Sequence, residues 1–300
     1  MMKYLLQPIV AFLVVALLAA TLAALSPELY WKSMLPSTPM PKFIADLLHP
    51  AVNDGSGEST TIRSGGHCQF DFCYADSDDT KLHGNPNTTL FFLEKDLKAG
   101  HRMNFLFMHA SNQASFSPRE VVKSIPFSSR KMAEILNKFA VTPGSVKAEV
   151  MNNTIQLCEE SGIKGEEKYC ATSLESMVDF ITSKLGKNVE AWSTEGKKET
   201  KKQEYTITQG VKLGEAKVAV CHKLNYVYAV FYCHKIQNTV AYTVSLKGAD
   251  GSRVKAVSVC HRDTSQWNPK HLAFQMLKVK PGSVPICHFL FQDTVTWVQR

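Results

Sequence analysis

The chain has 300 residues, 44% of them hydrophobic and 20% charged, and a formal net charge of +7. That length and apolar content suffice for one large domain with a packed core. The basic excess is not interleaved with aromatic residues into a patch, which argues against a nucleic-acid-binding protein.

The N-terminus reads as a secretory signal over residues 1–24. Lys3 opens it, and an almost unbroken apolar run from Ile9 to Leu25 ends in the small residues Ala23 and Ala24. A retained signal anchor is the competing reading, because 17 apolar residues lie near the lower limit for spanning a bilayer. No charged stop-transfer flank follows, which favours cleavage and leaves no membrane segment. A secreted address means an oxidising compartment, where an even cysteine count argues for disulfides. The sequons at Asn87 and Asn152 are compatible with glycosylation there.

Residues 25–88 read as a variable N-terminal segment and linker. Ser26 to Lys32 is followed by a Pro-punctuated stretch to Pro50, and residues 51–88 are rich in Gly, Ser, Asp and Thr. The latter composition cannot bury enough apolar surface to fold alone. Within it Cys68 and Cys73 flank an aromatic island and are expected to pair with each other.

Farther on, Met132, Ile135, Leu136 and Phe139 predict a helix from Ser128 to about Asn137. Cys158 and Cys170 flank a polar loop of 11 residues that a disulfide would close. Thr172 and Glu175 have capping-box spacing ahead of Leu174, Met177, Val178, Ile181 and Leu185, with Gly186 as the stop signal. The polar run Gly196 to Lys202 carries much of the positive charge. It reads first as a solvated loop, and second as a weak attractant for acidic cell-wall polysaccharide.

From Glu204 the apolar period becomes two. Residues 205–208, 217–220, 226–231, 240–244 and 254–259 predict strands, with Asp250-Gly251 as a hairpin turn between the last two. The expected fold class is α+β, with helices in the first half of the domain and an antiparallel sheet in the second.

That sheet carries four Cys-His dipeptides: Cys221-His222, Cys233-His234, Cys260-His261 and Cys287-His288, separated by 10, 25 and 25 residues. Alternation along a strand sends each Cys to one face and its His to the other. The thiols are then expected to meet as disulfides, or as metal ligands, while the imidazoles gather on the opposite face. Adjacent Cys-His makes no zinc knuckle of the C-x2-C kind. An imidazole-rich site in an oxidising compartment favours copper, with His271 as a fifth ligand or a supporting partner. The residues alone leave a metal site and a set of buried, hydrogen-bonded histidines level with each other. No other catalytic constellation stands out.

The pattern CH-x10-CH-x25-CH-x25-CH resembles the signature of the BURP domain of plant proteins. Phe91 to Leu97 resembles that domain's opening run, Gly165 to Glu175 the block before its central helix, and Asp263 to His271 the segment after the third pair. The resemblance sets the domain at 89–300. Phe116 to Glu120, Ser124 to Ser128 and Cys170 to Gly186 are most similar to the dehydration-responsive branch. It implies a secreted protein of the apoplast or cell wall with a stress-response or wall role, and it tips the histidines toward copper at His222, His234, His261 and His288. Some members are copper-dependent cyclases that crosslink Tyr or Trp side chains of a core peptide in cis or in trans. That is the alternative function, and the only enzymatic one the resemblance implies.

Overall fold

The computed structural model describes residues 25–49, 89–105, 107, 114–196 and 202–300. The expected signal peptide, the Cys68 and Cys73 island, Asn87 and most of the basic run lie outside them.

Among the described residues, eleven strands form two antiparallel sheets. The first sheet runs β1 (Phe92–Leu93), β10 (Ile286–Phe289), β9 (Arg253–His261), β8 (Thr239–Gly248), β5 (Gln203–Glu215), β2 (Arg102–Phe105). It curls until its edges meet. Thr89, ahead of β1, donates from its backbone to the Asn104 carbonyl on β2 at 2.8 Å. The Phe92 and Phe105 rings of the two edge strands lie 6.4 Å apart. All six strands feed one apolar interior that includes Tyr205, Val244, Cys260 and Cys287. Curling removes the exposed edges that an open sheet would present.

The second sheet runs β3 (Glu166–Ala171), β7 (Val230–Ile236), β6 (Val218–Leu224), β11 (Thr294–Gln299), β4 (Val189–Trp192). Helices α1 (Pro27–Met34), α2 (Lys42–Leu48) and α6 (Leu174–Leu185) cover one face of it, over Ala219, Cys221, Phe231, Cys233 and Trp297. Val218, Val220 and Val298 on the other face meet Ala241, Val257 and Val259 of the curled sheet. The two sheets approach closely where β5 crosses β11, and a Cβ on Gly214 would overlap Val298 there. Helices α3 (Arg119–Lys123), α4 (Met132–Lys138) and α5 (Val146–Glu159) close the end of this layer over Val230 and Tyr232.

The α+β class is as expected, with three refinements. The sheet is two sheets. The predicted strand at 226–231 begins only at Val230, because Tyr226 and Tyr228 leave the ladder to pack among α3, α4 and α5, stacked edge-on at 5.0 Å. The N-cap of α6 is Ser173, one residue after Thr172, with Ser176 completing the reciprocal bonds. Glu175 is instead buried.

Residues 25–49, read from the sequence as a variable segment ahead of the domain, pack into the same core as its second sheet. Trp31 lies 5.2 Å from Trp297, its indole donates to the Thr38 carbonyl at 2.9 Å, and Thr38 donates to the Val189 carbonyl at 2.5 Å. A helix this short is marginal in isolation; burial of Tyr30, Trp31, Ile44 and Leu47 is what fixes α1 and α2.

Candidate functional site

The four Cys-His dipeptides fall on β6, β7, β9 and β10, and pair two by two. Cys221 stands directly opposite Cys233 in the β6–β7 ladder, and Cys260 directly opposite Cys287 in the β9–β10 ladder. Both pairs are disulfides, with Cα atoms 3.9 and 4.0 Å apart. The cysteines turn away from the space between the sheets, into the helix-covered core in one case and the curled interior in the other. Because each His follows its Cys, the imidazoles take the opposite face. Val220 pairs with His234 and Val259 with His288, so both histidine pairs share the face of the valines that join the two sheets. The division of thiols from imidazoles is therefore realised, once in each sheet.

Antiparallel pairing makes the two histidines of a sheet diagonal neighbours, since His222 stands opposite Tyr232 and His261 opposite Ile286. Diagonal backbone positions lie roughly 7–8 Å apart, within reach of long side chains. His222 and His234 close the gap to 3.2 Å between Nε2 atoms. His261 and His288 stack with ring centroids 5.7 Å apart.

Each pair has one ring held by a pure acceptor. His234 donates from Nδ1 to Glu166 at 2.8 Å. His288 directs Nδ1 to the Phe289 carbonyl at 3.4 Å. Since a carboxylate or carbonyl cannot donate, Nδ1 carries the proton in both rings and the Nε2 of the neutral ring keeps its lone pair. The other ring of each pair faces a threonine hydroxyl, which can donate or accept. His222 Nδ1 lies 3.4 Å from Thr294 and His261 Nδ1 3.2 Å from Thr239. Those threonines are the register partners of their histidines on the next strand. The same three-strand unit is thus built twice.

The surroundings differ. Glu166 is buried and also accepts from the Tyr232 hydroxyl at 2.9 Å and the Ile163 amide at 3.0 Å. Burial pushes its carboxyl up, and the His234, Tyr232 and Ile163 bonds outweigh that and hold it below the usual range. The second pair has an aromatic wall, with Trp267 5.2 Å from His261 and Phe91 6.3 Å from His288. His271 lies 4.7 Å from Trp267 and caps helix α7 (Leu272–Leu277), its Nδ1 accepting from the Ala273 amide at 3.2 Å. The nitrogen that His271 turns elsewhere is therefore a donor in the neutral ring, which suits a supporting partner better than a fifth ligand.

Next to the first pair lie two buried charges, Lys223 and Asp293, joined through the backbone by a 3.2 Å bond. Desolvation pushes Lys223 down to about 8 against the favourable Asp293 charge, and pushes Asp293 up to about 6 against Lys223.

Among the described residues no three His, Cys, Asp or Glu side chains converge as a ready metal cage. The donors come in twos. Cys158 and Cys170 are bonded, tying α5 to β3. Asn152 lies half-buried within α5, and Thr154 of its sequon donates to the Asn225 carbonyl at 2.8 Å. Glu166 is the residue that motif reading missed. It sits in the Gly165 to Glu175 block, and only the β3–β7 pairing brings it beside His234.

The sequence family described as BURP domain matches residues 90–299. BURP domain protein RD22 of Arabidopsis thaliana is 53% identical over 235 residues, 76% of this chain and 60% of that protein. BURP domain-containing protein 5 of Oryza sativa subsp. japonica is 46% identical over 291 residues, covering 93% and 88%. Protein RAFTIN 1B of Triticum aestivum is 32% identical over 352 aligned positions, covering 95% and 97%. The chain spans less than two thirds of the RD22 protein, while it covers most of the other two. No described helix is long and apolar enough to cross a membrane. With the family match running from β1 through β11 and taking in both histidine pairs, the chain belongs to the BURP domain family.

Proposed function

We propose that this is a secreted plant stress-response protein of the cell wall that binds copper at its two imidazole pairs. The observation that carries the metal reading is the state of the rings: one histidine of each pair is held with Nδ1 protonated, and the other meets a hydroxyl that accommodates either tautomer. All four Nε2 lone pairs can then be presented together. Two imidazole nitrogens about 2.0–2.1 Å from one tetrahedral ion would be roughly 3.3 Å apart, close to the 3.2 Å between His222 and His234. His222 and His234 would hold one ion, with Glu166 orienting His234 as such second partners do, and His261 and His288 another. A structural zinc site takes four protein ligands, whereas imidazole pairs with open positions suit copper, which also stands highest in affinity.

Three disulfides among the described residues support the secreted reading, since cytosolic thiols are kept reduced. The stress role draws on the similarity to RD22 and to the dehydration-responsive branch. The test is copper titration of the mature secreted protein by calorimetry and electron paramagnetic resonance. His222→Ala should abolish one ion's binding, His261→Ala the other's, with every disulfide retained by mass. A wild-type chain that takes up no copper, or variants that lose disulfides together with copper, would overturn the reading.

A second reading is a copper-dependent cyclase acting on a core peptide in cis or in trans. It is favoured by the two-donor pairs, which leave coordination positions for a substrate. Copper would supply one-electron chemistry. The reaction would remove one hydrogen from a Tyr or Trp side chain and one from its partner residue, join the two, and pass both electrons and both protons to dioxygen, which leaves as hydrogen peroxide. Peptide maps before and after copper and air test the cis form: a two-hydrogen mass loss on a Tyr or Trp peptide means a self-modifying cyclase, an unchanged map with copper bound leaves a binding protein or a cyclase acting on another chain, and an unchanged map without copper favours a disulfide-stapled wall protein.

A further inference from the structure

An open groove of about 590 Å³ lies on the outer face of the curled sheet, beside the hairpin that joins β8 and β9. Its rim carries Lys247, Arg253 and Lys255, all exposed. Lys247 stands directly opposite Arg253 in the ladder, and Lys255 follows on the same face opposite Ser245. Like charges directly opposite each other destabilise a strand pair, and no ion pair among the described residues relieves these three. Several other cations are matched, Arg262 by Glu94 and Glu215, Arg300 by Glu190, and Lys184 and Lys235 by Glu167. Lys255 is steadied by the Trp192 ring, 4.8 Å below its ammonium.

The rest of the lining mixes polar groups with Leu246, Val254 and Gly196. Ser245 and Thr208 bring hydroxyls, and Glu195, whose backbone is doubly bonded to that of Lys255, brings one carboxylate. We infer that this groove binds a carboxylate-bearing polysaccharide, a polyuronate, through Lys247, Arg253 and Lys255, with Ser245, Thr208 and Glu195 taking sugar hydroxyls. The lone acid decides between polyanions. Glu195 repels a continuous phosphate backbone, yet accepts hydrogen bonds from the hydroxyls a uronate chain carries between its charges. A lipid surface is disfavoured because none of the exposed large hydrophobic residues lines the groove to enter a bilayer. The polymer's identity rests on the secreted reading above; the groove itself is independent of the copper reading.

The test uses the full mature chain and de-esterified polygalacturonate, with binding measured by calorimetry at low salt. Replacing Lys247, Arg253 and Lys255 together by Ala should weaken binding about tenfold or more, since three screened contacts each contribute a few-fold. A control removing Lys123, Lys131 and Lys138, exposed on α3 and around α4, should change it less than about twofold if position and not net charge matters. Fully methyl-esterified polymer should not bind. Copper uptake by the groove variant should equal wild type, which separates this site from the histidine pairs. The proposal falls if the groove variant binds as wild type, if the control loses as much, or if charge removal at Lys197, Lys198, Lys201 and Lys202 alone abolishes binding. It falls equally if single-stranded DNA or phosphatidylserine vesicles bind as tightly as polygalacturonate.

Discussion

The 2.8 Å bond from His234 Nδ1 to Glu166 decides which nitrogen His234 turns toward His222. With Nδ1 protonated, the Nε2 of the neutral ring is an acceptor. His222 then donates across the 3.2 Å gap and accepts from Thr294 at Nδ1. Under the proposed copper reading, ligation would ask His222 to move that proton to Nδ1, where the Thr294 hydroxyl can accept it. The second pair repeats this logic with Phe289 and Thr239 but without a carboxylate, so under the proposed copper reading the pair beside Glu166 should be the tighter of the two.

Glu166→Gln should cost about 1–3 kcal/mol of stability near neutral pH and lower copper affinity of the first pair about 10–100-fold. The folded carboxyl is held below its usual range by the bonds that outweigh its burial. The stabilisation is therefore complete above the unfolded value of about 4.3 and is lost as pH falls through the lower folded value. Urea midpoints measured from neutral to acid pH should show this acid limb in the wild type and a weaker one in the variant. An identical limb in both would rule Glu166 out as its source.

The Lys223 and Asp293 pair costs most where both are charged. Asp293, raised to about 6 by burial, favours the folded state below its unfolded pKa and loses that contribution as pH rises through 6. Lys223, depressed to about 8 by burial, contributes above its unfolded value and loses it as pH falls through 8. Between those values either single change, Lys223→Met or Asp293→Leu, should destabilise by about 3–5 kcal/mol, while the double change should be neutral or stabilising. A double-mutant cycle in urea at neutral pH measures this. Additive single costs would mean that the two do not interact.

Trp31→Ala tests whether the N-terminal segment belongs to the domain. The indole is buried against Trp297 and bonded to Thr38, so truncation should cost about 3–5 kcal/mol. An unchanged urea midpoint would make α1 an appendage.

The disulfides should separate by effect. Removing Cys158–Cys170, a link across 12 residues, should cost about 3 kcal/mol and leave copper uptake intact. Cys221→Ala with Cys233→Ala should also release the diagonal that sets His222 against His234, and lower copper affinity at that pair alone. Calorimetric copper titration of both double variants tells them apart; equal copper loss in the two would show the effect to be global.

Local structure was legible in the chain before any fold was known. Period-two runs marked the strands around Val220, Val244 and Val257, and 3.6-period spacing with Gly186 marked α6. The adjacency of Cys and His fixed opposite faces, because side chains alternate on a strand wherever it pairs. Partnership was decided by tertiary structure. Nothing local to Cys221 says that it meets Cys233 in one sheet while Cys260 meets Cys287 in another, and that choice splits the histidines into two pairs. Glu166 reaches His234 from 68 residues away, and Thr294 reaches His222 from 72, through ladder registers that no periodicity encodes. Trp31 reads from the sequence as lying ahead of the domain for the same reason: a two-turn helix has little stability of its own, and the Trp297 surface that holds it lies at the opposite end of the chain.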